Sequence, residues 1–152
     1  IGAVPATTEG TVRTAMIGLL VLASMHAFAG PTAADEIAAR SGLPASEVNA
    51  LLSDCDSSQT SMNFCAWRDQ LVAERELQRI VDKRVSEQPR RKAALDAEMA
   101  KWKKARDTSC EKSARNAWGD GSMRPAAQAI CATAATKEMA TRLSARVSRK
   151  SQ

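Results

Sequence analysis

The sequence predicts an all-α fold, a small disulfide-stapled helical bundle built on a long antiparallel helical hairpin plus a C-terminal helix. Three observations predict it. Aromatic residues make up 3% of the 152-residue chain, tyrosine is absent, and only 7 Gly and 5 Pro interrupt runs rich in alanine. That composition suits helices packed through small side chains better than a β-sandwich. Apolar residues also recur at helical spacing over runs far longer than a strand. Finally, the 4 cysteines (Cys55, Cys65, Cys110 and Cys131) all follow an apolar stretch patterned like an export signal. Behind such a signal, an even number of thiols points to bridges.

The signal is the segment from Ala15 to Ala29, with Arg13 before it and the small-x-small end Ala27-Phe28-Ala29. This predicts cleavage before Gly30. At about 15 residues it falls short of the roughly 20 that span a bilayer, so no stable membrane insertion is expected after cleavage. Residues 1–11 resemble no signal n-region, and translation is expected to start at Val12 or Met16. The mature protein is expected in the periplasm or secreted. The single histidine, His26, leaves with the signal, which removes Ser-His and Cys-His catalysis. The cysteines are separated by 9, 44 and 20 residues with no CxxC pair, a spacing unlike a zinc site. Asp69, Glu74, Glu76 and Asp107 read as ordinary solvated or ion-paired helix residues. No catalytic residue, cofactor or metal is predicted, and the protein reads as a non-enzyme.

Residues 30–54 form a short N-terminal element of two helices, Thr32 to Arg40 and Pro44 to Leu52, with Gly42 as the stop and Pro44 opening the second. Residues 55–147 form the main helical domain, and 148–152 a basic tail. A long helix runs from about Gln59 to Val85, striped by Phe64, Trp67, Leu71, Val81 and Val85, with Ala73, Leu77 and Ile80 along the adjoining edge. Ser86 to Pro89 breaks it, and Pro89 opens a helix reaching about Cys110, striped by Leu95, Met99, Trp102 and Arg106. Gly119-Asp120-Gly121-Ser122 is a loop. Ser122 is expected to cap a last helix to about Val147, with Met123, Ala127, Ile130, Ala134, Met139, Leu143 and Val147 inward.

The hairpin register pairs the cysteines. Cys65 and Cys110 each lie 22 residues from the turn between Glu87 and Gln88, roughly 33 Å along either arm. That predicts a Cys65–Cys110 bridge and leaves Cys55 for Cys131. The same register sets Arg106 beside Asp69. A guanidinium continuing an apolar stripe is expected to be part-buried and to need a carboxylate, supplied by Asp69 or Glu74 as a structural ion pair.

The net charge of +5 is uneven. Residues 30–54 hold one Arg against four acids, while residues 55–152 hold 20 Lys and Arg against 12 acids. A basic body suits an anionic partner, or is simply a solvated helical surface. Ile37, Ala38, Gly42, Leu43, Val48 and Leu51 match the spacing of a helix-turn-helix. Its second helix, however, carries no Lys or Arg for phosphates, so nucleic acid is not the expected partner.

The run Cys55-Asp56-Ser57-Ser58-Gln59-Thr60-Ser61-Met62-Asn63-Phe64-Cys65-Ala66 resembles the opening signature of the LprI-type lysozyme-inhibitor N-terminal domain. Glu74-Arg75-Glu76-Leu77-Gln78, Trp102 to Cys110, and Gly119 to Ser122 with Cys131 resemble three further segments of that family, in order. Glu74 and Gln78 stand where Asp and Asn are usual, Val81 replaces a common Tyr, and Ala105 sits where an aromatic precedes Arg-Asp. The resemblance implies a small exported bacterial protein that inhibits a lysozyme and so protects peptidoglycan. Its partner would then be a protein. A protrusion that enters a glycan cleft is needed, and Gly119, Asp120, Gly121, Ser122 and Arg124 are the candidate partner-binding residues. The alternative is a general cell-envelope interaction module without inhibitory activity.

Overall fold

A computed structural model of the chain describes residues 30–148, and the predicted signal, the translation start and residues 149–152 lie outside them. The described residues form α1 (Ala33–Ser41), α2 (Ala45–Ser53), α3 (Gln59–Glu87), a 3₁₀ turn (Pro89–Arg91), α4 (Lys92–Trp118) and α5 (Arg124–Ser148). No strand occurs among them, and the all-α, disulfide-stapled expectation holds.

Local chemistry sets the ends of the first two helices. Thr32 caps α1 by accepting from the Asp35 amide, while the Asp35 carboxylate accepts from the Thr32 amide at 2.7 Å. That second bond holds the Asp35 carboxyl below its usual range. Gly42 closes α1 at φ +73°, a left-handed position that favours glycine. The α1–α2 corner buries Ile37 and Val48 completely against Leu71, with Phe64 and Trp67 alongside. Arg75 ties the corner to α3, donating to the Thr32 carbonyl and to Glu36, each at 2.9 Å.

The three long helices make the body. α5 runs antiparallel to α4, as Cys110–Cys131 and Arg106–Thr136 require, and parallel to α3, as Asn63–Ser122 and Leu77–Leu143 require. α5 packs along both arms of the hairpin, whose own backbones approach closely at few places. Near the turn the core is Leu77, Val81 and Leu143 with Val85, Leu95, Met99, Trp102 and Met139. Near the other end it is Ala66, Ala126 and Ala129 with Met62 and Met123.

The predicted cysteine pairing is overturned. The bridges are Cys55–Cys65 and Cys110–Cys131, not Cys65–Cys110 and Cys55–Cys131. The cause is register. The 3₁₀ turn at Pro89–Arg91 lengthens the connection, so Arg106 meets Glu74 rather than Asp69. That is a slip of five residues, about 7 Å along a helix, and it carries Cys65 out of reach of Cys110. Sulfur instead fastens the pre-α3 segment to α3, and α4 to α5.

Two helix assignments also shift. α4 continues past Cys110 to Trp118, carried by the Glu111–Arg115 pair, and stops at Gly119. The buried face of α5 is Ala126, Ala129, Ala132, Thr136 and Leu143, while Ile130 is 58% exposed and Ala134 faces solvent. Small side chains let α5 approach α3 at Ala66, and the bulky Ile130 turns outward.

Candidate functional site

The loop joining α4 to α5 is short because two glycines make it so. Gly119 sits at φ +56°, and a Cβ on Gly121 would lie 2.9 Å from the Trp118 carbonyl oxygen. The Gly121 amide donates to that same carbonyl at 2.9 Å, and the Arg124 amide to the Gly121 carbonyl at 3.1 Å. Substituting Gly121 would therefore push backbone against backbone.

Side chains brace the loop from both sides. Asn63 Nδ2, on the first turns of α3, donates to the Ser122 carbonyl at 3.2 Å. Arg124 Nη1 donates to Asp120 Oδ1 at 2.6 Å, and Arg115 stands 3.9 Å from the same oxygen. Asp120 itself is 90% exposed. The sequence assigned Ser122 a capping role, but among the described residues its hydroxyl makes no hydrogen bond and its carbonyl is what anchors the loop. Gly119, Asp120, Gly121, Ser122 and Arg124 are thus brought together. The residue that sequence reasoning missed is Trp118, whose indole is 49% exposed at the root of the loop. Its sign in the sequence was a tryptophan directly before a glycine stop, outside every apolar stripe.

The second cluster surrounds Arg106, whose side chain is 1% exposed. Its guanidinium donates to Glu74 Oε1 at 2.7 Å, to Thr136 Oγ1 at 2.7 Å and to Asp107 Oδ1 at 2.6 and 2.8 Å. It also lies over the Trp102 ring, 5.3 Å from the centroid. Burial pushes the Glu74 carboxyl up, but donors from Gln70 and Arg106 and the charges of Lys103 and Arg106 outweigh it. The net shift is below the ordinary glutamate range. Each guanidinium nitrogen has a partner, so this is a clamp joining α3, α4 and α5. Asp69, the other predicted partner, pairs with its neighbour Arg68 at 2.9 Å and does not reach Arg106. Beside the clamp runs a shallow groove between α3 and α4, lined by Leu77, Gln78, Val81, Met99, Trp102 and Lys103.

The profile of the family described as lysozyme inhibitor LprI matches residues 53–143, which contain α3, α4, the loop, all four cysteines and most of α5. The profile described as the DprA winged helix domain matches residues 20–54, ending with α2. No curated protein and no solved structure matches the chain.

Proposed function

Because the chain belongs to the family of the lysozyme inhibitor LprI, we propose that it is an exported, non-enzymatic binding protein. It blocks a glycan-cleaving hydrolase and thereby protects the cell wall. The observation that carries this reading is the braced loop with Trp118 at its root. A glycan-cleaving hydrolase holds sugar rings in a cleft and carries two carboxylates on its catalytic walls. A half-exposed indole offers the flat amphipathic face of a binding anchor. Arg124 and Arg115 supply guanidinium groups that can exchange Asp120 for the enzyme's carboxylates in charge-assisted bonds. The glycine-fixed backbone limits the entropy lost on docking.

The overall positive charge would repel a basic hydrolase, yet the charge is not where the loop is. Residues 30–78 hold three basic side chains against eight acidic, and residues 106–136 hold four against three, so the loop half carries a net −4. The local field therefore favours a cationic partner. The α1–α2 corner argues against DNA as that partner. The exposed face of α2 presents Glu47 and no Lys or Arg, which leaves nothing to neutralise phosphates.

The test is a lysis assay across several lysozyme types with the exported protein, its Trp118→Ala variant and its Arg124→Ala variant. Inhibition is expected, with Trp118→Ala weakening it about thirtyfold, the loss of a 2 kcal/mol anchor, while helicity is retained. Full potency in both variants would remove the loop from the mechanism. Inhibition of no lysozyme would leave the envelope interaction module as the function.

A further inference from the structure

The half of the molecule away from the loop is its electrical opposite. Residues 79–105 hold nine basic side chains against four acidic, and residues 137–148 hold three against one, a net of +7. The dividing level is the Arg106 clamp. Three chain segments share the basic pole: the end of α3, the start of α4 with its 3₁₀ turn, and the end of α5. Because α5 runs parallel to α3 and packs Leu143 on Val81, its last turns lie level with the hairpin turn.

The cations there are available. Arg79 pairs with Glu76, and Lys92 with Asp96. Among the described residues Lys83, Arg84, Arg90 and Arg91 form no ion pair. Lys83, Arg90 and Arg91 are exposed, and Arg84 is partly so. Among the residues whose side chains are described, large exposed hydrophobic residues are absent from this pole. Val72, Trp118 and Ile130 all lie in the other half, and no described helix is long and apolar enough to cross a membrane.

We propose that the basic pole docks the protein on an anionic lipid bilayer, which stands the molecule upright with its inhibitory loop facing outward. Several cations carried by the end of α3 and the turn into α4 at one level meet a sheet of phosphates better than a single polymer strand, which would follow a groove along the molecule. The grooves between α3 and α4 and between α3 and α5 run instead along the helix sides, lined mostly by apolar and small residues. The acidic loop half is repelled by the same surface, so attraction and repulsion fix one orientation. The 27 residues of α4 hold the loop about 40 Å from the surface. The placement rests on the export reading above, but binding itself is independent of whether a lysozyme is inhibited.

Co-sedimentation with vesicles tests it, using protein recovered as its host exports it. Vesicles of phosphatidylcholine with one-third phosphatidylglycerol should capture the protein at low salt and release it as salt shortens the screening length. Phosphatidylcholine alone should not capture it. The triple variant Lys83→Gln, Arg90→Gln, Arg91→Gln should lower the partition roughly a hundredfold, at about fivefold for each cation removed. Asp54→Asn with Asp56→Asn, at the other pole, should leave it unchanged or raise it. Equal capture by neutral vesicles would overturn the proposal, as would undiminished capture of the triple variant. So would tighter binding to heparin or duplex DNA than to the anionic vesicles, which would assign the pole to a linear polyanion.

Discussion

The seam between α3 and α5 is built differently at its two ends. Toward the hairpin turn it closes on Leu77, Val81 and Leu143, flanked by Val85, Leu95, Met99, Trp102 and Met139, with no covalent link. Toward the loop it closes on Ala66, Ala126 and Ala129, and there both disulfides stand. Burying a large aliphatic side chain contributes about 1.5–3 kcal/mol, and a single methyl about 0.8. The alanine end therefore gains little from burial, and the sulfur bridges offset the shortfall. Alanine has its own use at that end, because close helix approach is what brings Asn63 within reach of the loop. Covalent fastening and a small-residue seam are two parts of one solution for holding a rigid loop.

Reduction should break this contrast most sharply. Cys55–Cys65 closes a separation of 10 residues and Cys110–Cys131 one of 21, each contributing about 3 kcal/mol through loop closure. Reducing both is expected to lower stability by about 6 kcal/mol, enough to unfold a domain of ordinary marginal stability. Hydrogen exchange at partial reduction should show the two ends separately. Amides around Asn63 and Ala126 should lose protection first, while those around Leu77 and Val81 keep it. Uniform loss would mean the two ends are not independent.

The Arg106 clamp sits between the ends, and pH addresses it. Glu74 has a folded-state pKa below its unfolded value, so its contribution is complete above the ordinary glutamate range near 4.5. That contribution is lost as pH falls through the lower folded value. Glu74→Gln should cost about 2 kcal/mol at neutral pH, less than the usual penalty for half of a buried pair because Asp107 still faces Arg106. It should also flatten the acid limb of the stability curve. Urea midpoints at pH 7 and pH 3.5 read both effects. Equal loss in wild type and variant between those pH values would show that the clamp does not depend on the Glu74 charge.

Much of this architecture was legible from residue spacing. The helix start at Thr32, the stop at Gly42, the break at Pro89 and the apolar stripe of α3 all correspond to observed helix ends or buried faces, because each depends on local chemistry. The cysteine partners were not legible. A three-residue 3₁₀ turn moved the hairpin register by more than a helical turn, and nothing in Gln88-Pro89-Arg90-Arg91 announces whether the chain turns in two residues or five. The face of α5 was legible only in part: Met123, Met139 and Leu143 pack inward as expected, but Ile130 and Ala134 turn outward. Ile130 outranks Ala126 and Ala129 in hydrophobicity, yet close approach to α3 rewards the smaller side chains. At the candidate site the glycines, Asp120 and Arg124 were legible as a loop. Trp118 and Asn63 were not, since one lies outside any stripe and the other acts across 59 positions of chain.

Asn63 gives the smallest and most local test of how the two ends differ. Its Nδ2 donates to the Ser122 carbonyl, while its Oδ1 accepts from Gln59 Nε2 at 3.0 Å. Asn63→Asp keeps the size and the acceptor but removes the donor, and it turns a carboxylate toward a carbonyl oxygen. The expected cost is about 1 kcal/mol, the worth of one partly exposed hydrogen bond. The thermal midpoint should fall by only a few degrees. Because the loop lies at the alanine end, the local effect should exceed the global one. Proteolytic nicking at Gly119–Gly121 should rise several-fold, while exchange protection at Val81 and Leu143 stays as in the wild type. If nicking is unchanged, the glycines and the Arg124–Asp120 pair hold the loop without α3, and the close α3–α5 approach at Ala66 would then serve packing alone.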